Sequence, residues 1–319
     1  MVISVPGNIL LLGEYAVLEE GGLGFALAAE PRVHVESRPA ASLCIEGAWP
    51  GGAVRWTPGE PAGSPLCAAV VAVVQERLAR RGAPFPEGRR VHIDSSGFFR
   101  ADGRKSGLGS SAAVTVGLVC ALLDAAGAGT DPLEAAAALL AVDAHRRAQG
   151  GAGSGYDVTC SFHGGTGVFR GGHRPSWEAR RLPFAARILL FHGNAPVVTS
   201  AAVSRYRAWK EQNGDEALAF LEESNRNVMA FMAAGTIGEA ARAITACRRC
   251  GVRLGEAIGV PAAMETPPGL DPALCKAVGA GNELGVCLAA GGPPAEGADG
   301  PAPGVERVIV SERGVAWTR

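Results

Sequence analysis

Lys105-Ser106-Gly107-Leu108-Gly109-Ser110-Ser111-Ala112-Ala113 lies between a strand-like run, Val91-His92-Ile93-Asp94, and an apolar helical pattern from Val114 to Leu123. Gly107 and Gly109 let the backbone turn tightly and come close to a bulky ligand without a Cβ clash. Ser110 and Ser111 stand at the mouth of the following helix, where unpaired N–H groups and the positive dipole end favour an anion. With two hydroxyls and the cationic Lys105, the stretch has what a polyphosphate carrying Mg²⁺ needs. It is not the common phosphate loop, because no Gly-x-x-x-x-Gly-Lys-Ser/Thr occurs and the lysine precedes the glycines. Nor does it fit the protein-kinase glycine loop, which lies between strands.

Downstream, Asp131-Pro132 with Glu134 reads as a capped helix start. The helix continues through an alanine-rich stretch to about Gln149. Gln149-Gly150-Gly151-Ala152-Gly153-Ser154-Gly155-Tyr156-Asp157-Val158 follows, small residues framing one acid, so the backbone is suited to bring Asp157 close to a ligand. Upstream, residues 2–5 and 9–12 are apolar runs broken by Pro6-Gly7, and Arg32 to Ser37 alternates, which predicts a strand pair folded around a turn. Residues 47–63, rich in Gly, Pro and Trp, read as a loop. Ser64-Pro65 opens a helix to Arg81, and Pro84 to Arg90 is a second loop. Arg89, Arg90, Arg100 and Arg104 read as solvated surface, and only Lys105 among these cations is given a role. Strands are expected at 167–170 and 186–191, and helices over 200–260 with Phe220, Leu221, Val228, Phe231 and Met232 in the core. A loose Pro/Gly/Ala loop is expected from Gly291 to Gly304, and a closing strand from Val305 to Val310.

The chain of 319 residues is 47% hydrophobic and 19% charged, enough for two domains. A net charge of −1 and the lack of a basic block argue against a nucleic-acid binder. No apolar run is long enough to span a bilayer, and the N-terminus shows no secretory pattern, so a soluble cytoplasmic protein without membrane partners is expected. Eight cysteines fall mostly in apolar patterns, as buried reduced thiols would. Cys247-x-x-Cys250 has neither the second pair nor the nearby histidine of a zinc site.

Lys105 to Ala113 resembles the second motif of the GHMP kinases, the superfamily of galactokinase, homoserine kinase and mevalonate kinase. Pro6 to Glu19 is similar to the first motif of that family, Pro-Gly-Lys, an apolar run, Gly-Glu-His/Tyr and Val-Leu, with Asn8 at the lysine position. Gln149 to Val158 resembles the Gln-Gly-x-x-Gly-Ser-Gly-x-Asp-Val segment of the phosphomevalonate kinases. His192 to Ser200 is similar to the family's substrate loop, and Met264-Glu265-Thr266-Pro267 to an Ile-Glu-Thr-Pro segment. Gly279-Ala280-Gly281-Asn282-Glu283-Leu284-Gly285 stands where relatives carry a glycine-richer last motif.

The resemblance implies an α+β, two-domain fold. A nucleotide-binding domain like domain 2 of ribosomal protein S5 would occupy residues 1–182 and a ferredoxin-like domain 183–319, with the active site in the cleft between them. It implies transfer of the γ-phosphate of ATP, with Mg²⁺, to a phosphorylated hydroxy acid, 5-phosphomevalonate. Gly107, Leu108, Gly109, Ser110 and Ser111 would cradle the nucleotide, and Lys105 would offset charge. Asp157 would sit at the acceptor, with Tyr15, Asn8, Ser154, Gly155 and Thr199 around it. Ser110 and Glu14 are the metal candidates, with Asp143 a further acidic one. Another GHMP kinase, such as a mevalonate kinase, and a non-catalytic regulator of the same fold stay open, as does a homodimer.

Overall fold

Gly7 shows why the first motif is built as it is: a Cβ there would lie 2.4 Å from the carbonyl oxygen of Leu108 and 2.8 Å from the Phe98 ring. Only glycine lets the strand pass beneath the loop at this distance. The computed structural model describes residues 1–50, 52–59, 64–127, 134–151, 153–182, 184–193, 197–290 and 304–318. It is an α+β structure, as expected, with two compact units. One comprises Met1–Asn8, Ala28–Gly165 and Ser311–Arg319, the other Ile9–Leu27 and Thr166–Val310. The resemblance implies two domains meeting at 182/183; grouped by internal contact, the chain forms these interleaved units. The reason lies in two long strands, β1 (Val2–Leu12) and β2 (Leu23–Pro39), which each pass from one unit to the other.

In the first unit β1 and β2 are joined by β3 (Cys44–Trp49), β4 (Gly52–Trp56), β5 (Arg89–Asp94) and, from the far end of the chain, β12 (Ala316–Thr318). The strand order is β12-β1-β2-β5-β3-β4. Pro6-Gly7 does not break β1, which is one strand from residue 2 to 12. The loop expected at 47–63 is instead largely a hairpin of β3 and β4, with Ile45 opposite Trp56 and both buried. Gly47, counted as a loop signal, is a strand residue because a Cβ would stand 2.7 Å from the Ile93 carbonyl oxygen on β5. Four helices pack together in this unit: α1 (Pro65–Ala79), α2 (Ser110–Ala125), α3 (Glu134–Ala148) and α4 (Tyr156–His163). Ser64 caps α1 by accepting from the Cys67 N–H, as the sequence predicts. The start expected for α3 at Asp131-Pro132 lies outside the described residues. Helix α2 is almost wholly apolar and, apart from the half-buried Val114, buried from Ala112 to Leu123, the pattern of a central helix. Its Gly117 sits so close to β2 that a Cβ would meet Val35 at 2.6 Å.

The second unit contains β6 (Thr166–Arg170), which pairs with β7 (Ser176–Ala179) and with Leu23–Leu27 of β2. A separate antiparallel sheet runs β11-β8-β10-β9, built from β8 (Ala186–His192), β9 (Cys275–Val278), β10 (Leu284–Ala290) and β11 (Val305–Val308). The short strands β7, β9 and β12 carry too few alternating positions to be read from sequence. Three helices accompany the sheet: α5 (Thr199–Gln212), α6 (Gly214–Met232) and α7 (Ile237–Ile258). Helix α7 buries Ala240, Ala243, Ile244, Cys247, Cys250, Leu254 and Ile258 at helical spacing. Tyr206, Phe220, Leu254 and Ile258 form a core cluster, and Phe231 packs edge-to-face on Phe25 at 5.3 Å. The tract expected as a loop from Gly291 is outside the described residues up to 303.

Candidate active site

The first and second motifs meet in the first unit. The Asn8 N–H donates to the Leu108 carbonyl at 2.9 Å, and the Asn8 side chain lies directly under Gly109, where a Cβ would come within 2.2 Å of Nδ2. Gly107 and Gly109 have φ of 78° and 73°, a left-handed conformation that other residues rarely adopt. Asn8 is buried, and its Nδ2 donates to Ser161 Oγ at 3.0 Å. At the position where the family motif has a lysine, this chain has an amide that ties β1 to α4 beneath the loop. Lys105 is exposed at the loop's entrance and forms a bridge with Phe99.

Helix α2 begins at Ser110 with Gly109 as its left-handed N-cap and no side chain capping it. Its first N–H groups are therefore open to an anion, and the exposed Ser111 hydroxyl stands beside them. These donors fit a nucleotide polyphosphate. Ser111 also points inward: its Oγ is 3.2 Å from Nε2 of His145 on α3.

Asp157 enters through the glycine-rich turn. Gly155 has φ of 87° and packs so tightly on α3 that a Cβ would lie 2.7 Å from Val142. The Arg146 guanidinium donates to the carbonyls of Gly153 and Ser154 at 2.9 and 2.5 Å, holding the turn from α3. Ser154 Oγ accepts from the Tyr156 N–H. Asp157 then opens α4, its Oδ1 accepting from the Val158 N–H at 2.9 Å and its Oδ2 lying 3.4 Å from His145 Nδ1. Burial and the neighbouring Asp157 charge raise the Cys160 thiol's pKa well above its usual range. His145, only 2% exposed, thus stands between Ser111 and Asp157. Nothing in the motifs singles it out, but Ala138, Ala141, Val142 and His145 follow one helical stripe. A histidine on that stripe must face inward.

The second unit holds the remaining candidates. Tyr15 has a φ of 62°, the one positive value at a non-glycine residue among those described. Its hydroxyl donates to the Ala280 carbonyl at 2.6 Å, tying the first motif to the last. Burial, then the adjacent Glu14 charge, pushes the Tyr15 hydroxyl up to about 12. Glu14 is ion-paired with Lys276, a buried cation that sequence reading did not single out. Lys276 also donates to the carbonyls of Leu11 and Ala277. Burial raises the Glu14 pKa above its ordinary 4.5, and Lys276 opposes the rise. Asp143, the other acidic candidate, belongs to the first unit, where Arg147 of the same helix holds it at 2.9 Å. Both acidic metal candidates are therefore engaged by cations, and the described residues contain no cluster of three or more acidic, His or Cys side chains able to hold a metal. Thr199 is exposed at the start of α5; part of its loop, residues 194–196, lies outside the described residues. In the last motif Glu283 accepts from the Val197 N–H and Asn282 donates to the Ala263 carbonyl. Those two residues brace neighbouring loops. All eight cysteines are buried and free, and burial pushes Cys247 and Cys250 up to about 12, so neither is a reactive thiolate.

Residues 66–165, which include the glycine loop, His145 and Asp157, match the family model of the GHMP kinases N-terminal domain. That family match is confined to these residues, and over 91% of the chain the fold is similar to that of a solved phosphomevalonate kinase. Among proteins of known activity it is similar to a phosphomevalonate kinase of Saccharolobus solfataricus, 32% identical over 165 residues. The match spans 51% of this chain and 47% of that protein, about half the length of the relative. Among solved structures it is similar to a Lin0012 protein from Listeria innocua, with a TM-score of 0.79, 20% identity and 99% of each chain covered. It is also similar to Streptococcus pneumoniae phosphomevalonate kinase in complex with phosphomevalonate and AMPPNP, with a TM-score of 0.71, 20% identity, and 91% of this chain and 92% of that one covered. No helix among the described residues is long and apolar enough to cross a membrane.

Proposed function

We propose that the protein is an ATP-dependent small-molecule kinase that phosphorylates 5-phosphomevalonate to 5-diphosphomevalonate. The observation that carries the reading is the meeting of Pro6-Gly7-Asn8, the Gly107–Ser111 loop and Asp157 within one compact unit, Ser111 and Asp157 facing the two nitrogens of one buried histidine. The similarity to phosphomevalonate kinases supports the choice of acceptor.

Mg·ATP supplies the phosphoryl group and neutralises part of its charge when bound. On this reading Gly107, Leu108, Gly109, Ser110 and Ser111 hold the nucleotide phosphates, with Ser110 the metal-side hydroxyl. Lys105 offsets the charge that spreads over the transferring group. The acceptor phosphate has a second pKa near ~6, so its attacking oxygen is largely ionised at neutral pH and needs no strong base. Asp157 then serves by orienting the acceptor for in-line attack. Ser154 and Gly155, in the turn that delivers Asp157, belong to the acceptor side. Asn8 acts through the nucleotide loop's shape and not through charge.

The test is ADP release from Mg·ATP with phosphomevalonate, mevalonate or homoserine, comparing wild type with Asp157→Ala. Turnover on phosphomevalonate that the variant abolishes, at an unchanged melting temperature, is the expected result. Turnover on mevalonate alone would replace the acceptor. No turnover with any of the three would sink the reading.

A further inference from the structure

We propose that His145 is a positioning residue that couples the nucleotide loop to the acceptor carboxylate, setting Ser111 and Asp157 relative to each other. The proposal rests on the kinase reading above for its functional meaning, but its geometry stands alone. A carboxylate can only accept, so the His145 nitrogen facing Asp157, Nδ1, carries a hydrogen. With Nδ1 as donor, the bare Nε2 accepts from the Ser111 hydroxyl at 3.2 Å, and the Gln149 amide lies 3.3 Å from the same nitrogen. The Ser111 hydroxyl and the Gln149 amide share that one lone pair, and when Ser111 donates to it the oxygen's lone pairs face outward, where the residue is exposed. Asp157 is fixed in turn between His145 and the Val158 N–H. One imidazole, buried to 2% exposure, thereby holds two exposed-side groups from α2 and α4 in one register. Arg146, one residue on, grips the turn that delivers Asp157, so α3 fixes both the carboxylate and its approach. A buried ring with both nitrogens occupied cannot rotate without losing both contacts.

Two amide variants separate the arms, because an Asn amide nitrogen falls near Nδ1 of the histidine it replaces and a Gln amide nitrogen near Nε2. His145→Gln keeps a group toward Ser111 and loses the donor to Asp157. Its kcat should fall on the order of 100-fold, the cost of a misplaced reacting group, with nucleotide affinity little changed. His145→Asn should show the reverse split, weaker nucleotide binding by calorimetry and a smaller loss of kcat. Equal losses in both variants, tracking melting temperature, would reduce His145 to packing. A second readout needs no turnover: ¹⁵N-histidine spectra of the wild-type chain above neutral pH, with His145 assigned through the variants. An Nδ1–H tautomer that Asp157→Leu disturbs is expected. An Nε2–H tautomer would overturn the arrangement whether or not the protein is a kinase. Inactivity with the expected tautomer would sink only the kinase reading.

Discussion

Asn8 and Lys276 are the residues whose roles differ most from what their positions in the motifs suggest. Asn8 stands in a lysine's place, yet its amide is spent within the protein, on Ser161 and against Gly109. Lys276 lies outside every motif and is 5% exposed, paired with the Glu14 carboxylate of the first motif. Replacing Lys276 by Met leaves that carboxylate buried without a counter-charge, and should cost about 3–5 kcal/mol in urea unfolding at neutral pH. The sign of its pH dependence follows from Glu14. Burial raises its folded pKa above 4.5, and a raised acid contributes stability below the unfolded value that is lost as pH rises through the folded one. Without Lys276 the rise is larger, so the deficit of Lys276→Met should be small in acid and grow as pH climbs above 4.5. The double change Glu14→Gln, Lys276→Met should recover most of it. A deficit that does not vary with pH would show that the carboxylate is not buried as described.

Among the elements, α7 is the one whose boundaries are set most locally. Thr236 accepts from the Glu239 N–H while the Glu239 carboxylate accepts from the backbone at Gly235 and Thr236, a complete capping box. Gly259 ends the helix in the left-handed conformation. Thr236→Ala should destabilise by about 1 kcal/mol. The backbone donors at Gly235 hold the Glu239 pKa below 4.5. Its contribution is therefore present above 4.5 and lost as pH falls through the depressed value. Glu239→Gln should lower stability at neutral pH by that contribution and flatten this part of an acid titration, the two proteins converging in acid. Helix α2 is a different case: its ends matter less to stability than its open N-terminus matters to a ligand. The hairpin of β3 and β4 was hidden by its glycines and prolines. Those residues mark turns in an isolated chain, but Gly47 here serves the close approach of β5.

At the scale of the whole molecule, ligand and stability should be linked through the glycine loop. If Mg·ATP binds the folded chain alone, a concentration 100 times its Kd should add about 2.7 kcal/mol to the unfolding free energy. Gly109→Ala places a methyl on the Asn8 amide at a left-handed φ, and should abolish that gain as well as lower the unliganded stability. A full nucleotide-dependent shift in Gly109→Ala would place the nucleotide elsewhere. Much of this was legible beforehand. The strand–loop–helix order around Lys105 to Ala113 and the glycine frame of Asp157 are local patterns, set by backbone conformations that few residues other than glycine allow and by apolar periodicity. The long helices of 200–260 could be read for the same reason. What local pattern cannot carry is which distant side chains meet. The contact of Asn8 with Ser161, the pairing of Glu14 with Lys276 and the placing of His145 between Ser111 and Asp157 join residues far apart in sequence or on different helices. They depend on how strands and helices pack. Sequence by itself determined the motifs and the long helices; only the tertiary structure decided the β3–β4 hairpin, the short strands and the side-chain partners, because cross-strand pairing, burial and hydrogen bonding select among groups that the chain order leaves unpaired.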